Sequence, residues 1–185
     1  MDNEVEVQLG LIASDTYSID TNVFLDIWCP PEGNIYSKVR MPELWEHIEK
    51  LVDEGRIIAT KEVHDELINH ASEDLKQWLE DHKSMFSLTE QQVGYADDII
   101  NKVYSKYKNG YRPEVQDAAD PFVVAAALVH GAAVLTQEQR QDPHNPALVN
   151  GPKIPTVCAE YNVTCVNIEE FIAKEGFSIR MVKAA

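Results

Sequence analysis

Asp120-Pro121-Phe122-Val123-Val124-Ala125-Ala126-Ala127-Leu128-Val129-His130-Gly131-Ala132-Ala133-Val134-Leu135-Thr136 is the stretch whose reading decides the fold. Asp before Pro reads as a helix N-cap followed by proline at the first helical position, where no backbone N–H is needed. The residues behind it are apolar nearly all round, so the helix belongs against a sheet and away from water. Gly131 ends it, because glycine enters the left-handed conformation of a helix C-terminus without a Cβ clash. Ala133 to Thr136 then reads as a short buried strand. A buried helix feeding a buried strand is the building unit of a parallel sheet covered on both faces.

The pattern repeats on either side. Upstream, Tyr17-Ser18-Ile19 reads as a buried strand that ends at Asp20, with the apolar Val23, Phe24, Leu25 and Ile27 behind it. Cys29 to Asn34 is a loop by its proline and glycine content. Leu44, Trp45, Ile48, Leu51 and Val52 recur at helical spacing between Pro42 and Glu54, and Arg56 to Ala59 is a second strand. Thr60 predicts the cap of one long helix from Lys61, with Val63, Leu67, Ala71, Leu75, Trp78 and Leu79 inward. Thr89 predicts another, running to about Tyr107 and stopped by Asn109-Gly110. Downstream, Gln137 to Lys153 is a polar loop with three prolines. A short helix at Thr156 to Tyr161, a strand at Thr164 to Val166 and a helix at Glu169 to Lys174 follow. The expected fold is α/β: a three-layer α/β/α sandwich with a central parallel sheet. Residues 1–15 show no period and read as a loose arm ahead of a single domain, 16–185.

Composition narrows the function. The chain has 185 residues, 44% hydrophobic and 25% charged, the balance of a globular domain of this size. Its longest apolar run, Phe122 to Val129, falls far short of the ~20 residues of a membrane span. The opening MDNEVEVQLG lacks the basic start and apolar run of a signal peptide. Cys29, Cys158 and Cys165 form neither a disulfide framework nor a paired zinc motif. The expected setting is the cytoplasm, with reduced thiols and no membrane partner. A formal charge of −15, from 16 Lys and Arg against 31 Asp and Glu, is a poor footprint for binding nucleic acid through one large basic face. It is compatible with a carboxylate cluster that holds divalent cations, since bound ions reverse the local field.

Four acids stand where such a cluster needs them. In an open parallel sheet the site lies outside the carboxyl ends of the strands. Asp20 closes the first strand, and Glu138 lies just past Leu135-Thr136. Glu66 is in the second turn of the helix from Lys61, although helical geometry does not choose it over Asp65 or Glu62. Asp120 opens the apolar helix, where it serves equally well as a plain cap. Asp20 is the least ordinary, because an acid between a buried strand and an apolar run is costly without a partner. Phosphodiester hydrolysis uses this chemistry: hard cations such as Mg²⁺ and Mn²⁺ take oxygen ligands, position the phosphate and activate a water.

Three segments together resemble the PIN-domain superfamily. Tyr17-Ser-Ile-Asp20-Thr21-Asn22-Val-Phe-Leu25 is similar to its opening motif. Ile57-Ile-Ala-Thr60-Lys-Glu-Val-His-Asp-Glu66-Leu67 is similar to the strand–helix unit that carries its second acid. Asp120 to Glu138 is similar to its third and fourth motifs, including the Ala-Ala pair and the helix-ending glycine. The resemblance runs from about Tyr17 to Glu170 and is nearest to stand-alone prokaryotic PIN-like proteins distantly similar to VapC toxins. It implies a PIN-like fold and a metal-dependent endoribonuclease. Asp20, Glu66, Asp120 and Glu138 would be the catalytic ligands of Mg²⁺ or Mn²⁺, with Asn22 and Thr136 supporting them. The chain departs from the common pattern in its fourth acid, Glu where many relatives have Asp; Asp117 is a candidate to join or replace a ligand. Arg40, Arg56, Lys61, Arg140 and Lys153 are the candidate phosphate contacts, with Arg140 and Lys153 put first as substrate-binding residues. The partners implied are single-stranded RNA, an antitoxin protein and a second copy of the chain.

Other readings are weaker. His64 and His70 do not have the HExxH spacing that places two zinc ligands on one helical face. A haloacid-dehalogenase-type phosphatase needs a second Asp two residues after the first, where this sequence has Asn22. A non-catalytic scaffold binding RNA or protein, or a single-stranded DNA nuclease, is the alternative.

Overall fold

The segment behind Asp120 is a helix lying on the sheet, as its unbroken apolar character requires. The structure, a computed structural model, describes residues 15–107, 110–114, 118–139, 141 and 151–178. Most of the predicted arm, and the candidate residues Asp117 and Arg140, lie outside the described residues.

In chain order the elements are β1 (Tyr17–Ile19), α1 (Thr21–Trp28), α2 (Pro42–Asp53), β2 (Ile57–Thr60), α3 (Lys61–His70), α4 (Glu73–Asp81) and β3 (Phe86–Ser87). They continue with α5 (Glu90–Lys102), α6 (Asp120–His130), β4 (Ala133–Leu135), α7 (Ile154–Glu160), β5 (Cys165–Val166) and α8 (Ile168–Glu175). The strands form one sheet in the order β3-β2-β1-β4-β5, every pair parallel. Helices cover both faces, giving the expected α/β/α sandwich.

The central strand shows why both faces must be covered. Tyr17, Ser18 and Ile19 are all fully buried. Alternate side chains point to opposite faces. The Ser18 hydroxyl donates to the carbonyl of Val123 in α6 at 2.8 Å. Tyr17 meets Phe171 of α8 edge-on on the other face, with ring centres 5.0 Å apart. Ala125, Ala126 and Ala127 are buried, and their small side chains let α6 approach β1, β2 and β4 closely. α5 and α7 pack beside it. An aromatic cluster joins α1, α2 and α4: Phe24 and Trp28 against Trp78, and Trp45 against both tryptophans. At the amino ends of the strands, Arg56 grips Glu175 of α8 with two nitrogens at 3.0 and 2.7 Å, and the Tyr17 hydroxyl donates to the same carboxylate at 2.7 Å.

Two local expectations need correction. The long helix from Lys61 breaks at Ala71, whose backbone is extended, and Ser72 caps α4 by accepting from the Leu75 amide at 3.4 Å. The apolar spacing runs through the break because both pieces bury the same side. The apolar residues after Asp20 form α1. Asp120 is the first helical residue: Ala119 holds the cap position, and no side-chain cap bond is made there. β3 was not expected, and two residues carry no periodic signal. Gly131 does close α6 in the left-handed region, at φ +63°.

The strand order contains a reversal. From β1 the chain moves outward through β2 to β3, then returns to the other side of β1 as β4. Helices on the two sides of that reversal diverge and leave a crevice outside the carboxyl ends of β1 and β4, the place where open α/β sheets bind ligands.

Candidate active site

Asp20 and Thr136 stand on the two lips of this crevice, each the residue immediately after its strand. Asp20 is 4% exposed and Thr136 1%. The Thr136 hydroxyl donates to Asp20 Oδ2 at 2.7 Å, accepts from the Glu138 amide at 3.0 Å and accepts from Asn22 Nδ2 at 3.3 Å. Asn22 Oδ1 in turn accepts from the Gln137 amide at 3.0 Å. The hydroxyl's one hydrogen and two lone pairs are therefore all used. Asp20 precedes α1 but makes no side-chain cap bond with it, so capping does not account for its burial.

Glu66 ties in the second aspartate. Its Oε2 accepts from the Thr21 hydroxyl at 2.6 Å and its Oε1 from the Ala119 amide at 2.9 Å. Thr21 follows Asp20 and Ala119 precedes Asp120, so one carboxylate holds both aspartate-bearing turns. Asp120 is 6% exposed. The Tyr111 hydroxyl donates to the Ala118 carbonyl at 2.9 Å and closes this corner. Its pKa is pushed up to about 12, first by burial and then by the negative charges of Asp120, Glu62 and Glu66. Those three acids thus share one electrostatic neighbourhood.

Asp20, Thr21, Asn22, Glu62, Asp65, Glu66 and Glu114 line a cavity of about 620 Å³. Lys61 is turned to Asp65 as an ion pair. A phosphate would meet strong repulsion here unless a cation came first.

Glu138 is placed apart. It lines a second cavity, of about 500 Å³, with Tyr36, Gln137 and Asn167. Both of its oxygens are engaged: Lys153 Nζ donates to one, and the Ile154 amide donates to the other at 2.7 Å. Lys153, a candidate phosphate contact, is thus paired with an acid. Arg56, another, is at the amino ends of the strands with Glu175. The Cys158 thiol lies below, its pKa raised by the hydrogen bond with Cys165, by burial and by negative charges that include Asp20.

Among the described residues, no three His, Cys, Asp or Glu side chains are gathered closely enough to enclose a metal by themselves. Mg²⁺ does not need such a cage, since it keeps several waters and is usually held by one or two carboxylates together with substrate phosphates. The donor set fits a hard cation, as every acid in the crevice offers oxygen. One further atom supports the fit. Glu62 Oε2 is buried and has no hydrogen-bond partner. Glu62 was left open in the sequence beside Glu66; the signal that favours both is their i, i+4 spacing on one face of α3.

The family model for a domain of unknown function, DUF4411, matches residues 17–179. The chain belongs to the DUF4411 family. The match begins at the first residue of β1 and takes in every strand and all the acids described above. No curated protein matches the sequence. A chain from the crystal structure of VapBC2 from Rickettsia felis, bound to a DNA fragment from their promoter, is similar to this DUF4411 chain at 14% identity. That likeness covers 82% of this chain and 98% of that one, with a TM-score of 0.46. Among the described residues, no helix of the DUF4411 domain is long and apolar enough to cross a membrane.

Proposed function

We propose that this chain is a metal-dependent nuclease of the PIN type that cuts single-stranded RNA. The observation that carries the reading is the Glu66 carboxylate, which binds Thr21 and Ala119 and so holds the turns of Asp20 and Asp120 beside one acid-lined crevice. Asp20, Asp120 and a glutamate of α3 would hold Mg²⁺ or Mn²⁺. When bound, the ion supplies charge neutralisation for the phosphate and activation of a water. Thr136 fixes one oxygen of Asp20 and leaves the carboxylate in a set orientation. Asn22 locks the α1 turn to the residue after Thr136. With few basic residues to neutralise phosphates, affinity for bulk nucleic acid is weak. Recognition then falls to a few positioned groups and unpaired bases, which suits single strands better than duplex. The preference for RNA, a toxin role, an antitoxin partner and a homodimer all rest on the sequence resemblance.

A second reading has one observation in its favour. Glu138, the fourth acid of the motif, is held by Lys153 and Ile154 in a separate cavity, as suits a scaffold that binds RNA or protein without cutting. Incubation with Mn²⁺ and matched RNA and DNA oligonucleotides, single-stranded and duplex, separates the two. The nuclease reading expects Mn²⁺-dependent cutting of single-stranded RNA that Asp120→Ala abolishes. Cutting of duplex DNA at the same rate would refute the RNA assignment, and no cutting of any substrate would favour the scaffold.

A further inference from the structure

Helix α3 carries two glutamates one turn apart, and their surroundings differ. Glu66 has a donor on each oxygen, one from the turn after Asp20 and one from the turn before Asp120. These bonds fix its orientation and make it a clamp between β1–α1 and the start of α6. Glu62 lines the same cavity, and its Oε2 is buried without a donor. Lys61, its neighbour in sequence, pairs with Asp65 instead.

A carboxylate oxygen removed from water without a hydrogen bond is costly, and an ion is one of the standard explanations for such an atom in a native fold. We infer that Glu62 supplies an oxygen ligand to the divalent cation of this crevice, and that Glu66 is the residue that positions Asp20 and Asp120. This rests on the metal-dependent reading above and departs from the sequence resemblance, which puts the α3 ligand at Glu66. Glu62 Oε2 is a carboxylate oxygen on this helix face that no protein donor satisfies. A glutamate one turn earlier on the same helical face reaches the cavity without disturbing the clamp.

The test is Mn²⁺ titration of the full chain by calorimetry, with thermal unfolding in chelator as a second readout. Asp20→Asn serves as the control for the site itself. Glu62→Gln is expected to weaken Mn²⁺ binding ten-fold or more while leaving the metal-free unfolding temperature unchanged or raised. Glu66→Gln is expected to lower the metal-free unfolding temperature and to weaken Mn²⁺ less than Glu62→Gln does. Thr21→Val removes a donor to Glu66 without touching an acid. It is expected to weaken Mn²⁺ several-fold, and Thr21→Ser, which keeps the hydroxyl, is expected to restore it. If Asp20→Asn loses Mn²⁺ and Glu62→Gln binds it as the parent does, the site stands and the assignment of Glu62 is overturned. The assignment is also overturned if Glu66→Gln loses more affinity than Glu62→Gln with unchanged metal-free stability. If the parent takes up no Mn²⁺, or Asp20→Asn leaves uptake intact, the metal reading itself fails.

Discussion

Replacing Thr136 by valine removes one oxygen and keeps the shape of the side chain. The structure gives that oxygen three partners: it donates to Asp20 Oδ2 at 2.7 Å and accepts from the Glu138 amide at 3.0 Å and Asn22 Nδ2 at 3.3 Å. At 1% exposure, water does not readily replace it. A hydrogen bond to a charged group contributes about 1.5–3 kcal/mol, and a buried donor left unsatisfied costs about 1–3 kcal/mol. The Asn22 bond is long and Asn22 is only half-buried, so the lower half of the combined range applies, roughly 2.5–4 kcal/mol. For a domain of this size each kcal/mol moves Tm by about 2–4 °C. Thr136→Val should therefore unfold roughly 5–16 °C below the parent in chelator-containing buffer. Thr136→Ser keeps the hydroxyl and loses one methyl, so its deficit should stay near 1 kcal/mol, on the order of one buried methylene. Differential scanning calorimetry of the three proteins decides the matter. A Val variant within about 0.5 kcal/mol of the parent, the ordinary scatter of neutral substitutions, or equal deficits for Val and Ser, would refute the hydrogen-bonded role of Thr136.

Other expectations concern the crevice and the amino ends of the strands. Asp20→Asn should raise metal-free stability by removing one of several crowded negative charges, and should abolish RNA cleavage; a variant that melts lower and cuts as fast as the parent would make Asp20 structural. Glu175→Gln removes the closer counter-charge of Arg56 and leaves it only Glu54 at 3.9 Å, so it should cost about 1.5–3 kcal/mol at neutral pH, the range for hydrogen bonds to a charged group. Burial alone would raise the Glu175 carboxyl, but hydrogen bonds from Arg56, Tyr17 and His47 and the Arg56 charge hold it below the usual glutamate range. A carboxyl depressed in the folded state stabilises above its unfolded pKa, about 4.3, and that stability is lost as pH falls through the folded value. Urea unfolding of parent and variant should therefore converge only below that range, and an equal gap at pH 7 and in strong acid would count against the pair. Gly131→Ala forces a Cβ into the left-handed region at φ +63° and should cost about 1–2 kcal/mol by denaturant unfolding.

The fold was legible where elements are long or sharply punctuated. Asp120 to Thr136 contained a buried helix, its glycine stop and a strand, and the parallel sheet follows from repeating that unit. The break at Ala71-Ser72 was hidden because Val63, Leu67, Leu75 and Leu79 keep one apolar side across two helices. The short strand Phe86–Ser87 was hidden because its place is fixed by β2 beside it and not by its own residues. At the site, Asp20 and Asp120 could be picked out because each adjoins a strand end or helix start, whereas Glu66 was singled out from Glu62 and Asp65 only by the motif it resembles. What sequence could not convey was direction. Glu66 and Glu62 face the same cavity, yet only the folded chain shows Thr21 and Ala119 donating to one and nothing donating to Oε2 of the other. Glu138 likewise sits at the spacing of the motif, while the return of Lys153 and Ile154 from beyond a long loop engages it in a separate cavity. Such contacts depend on chain segments distant in sequence, and no local pattern encodes them.

The most direct test of the metal-dependent reading is anomalous diffraction from crystals of the full chain soaked in MnCl₂. The account predicts a manganese peak in the crevice between the turns of Asp20 and Asp120, in contact with at least one of those carboxylates, and its loss in Asp20→Asn crystals. A crevice without manganese in crystals that bind it elsewhere, or an undiminished peak in Asp20→Asn, would contradict it.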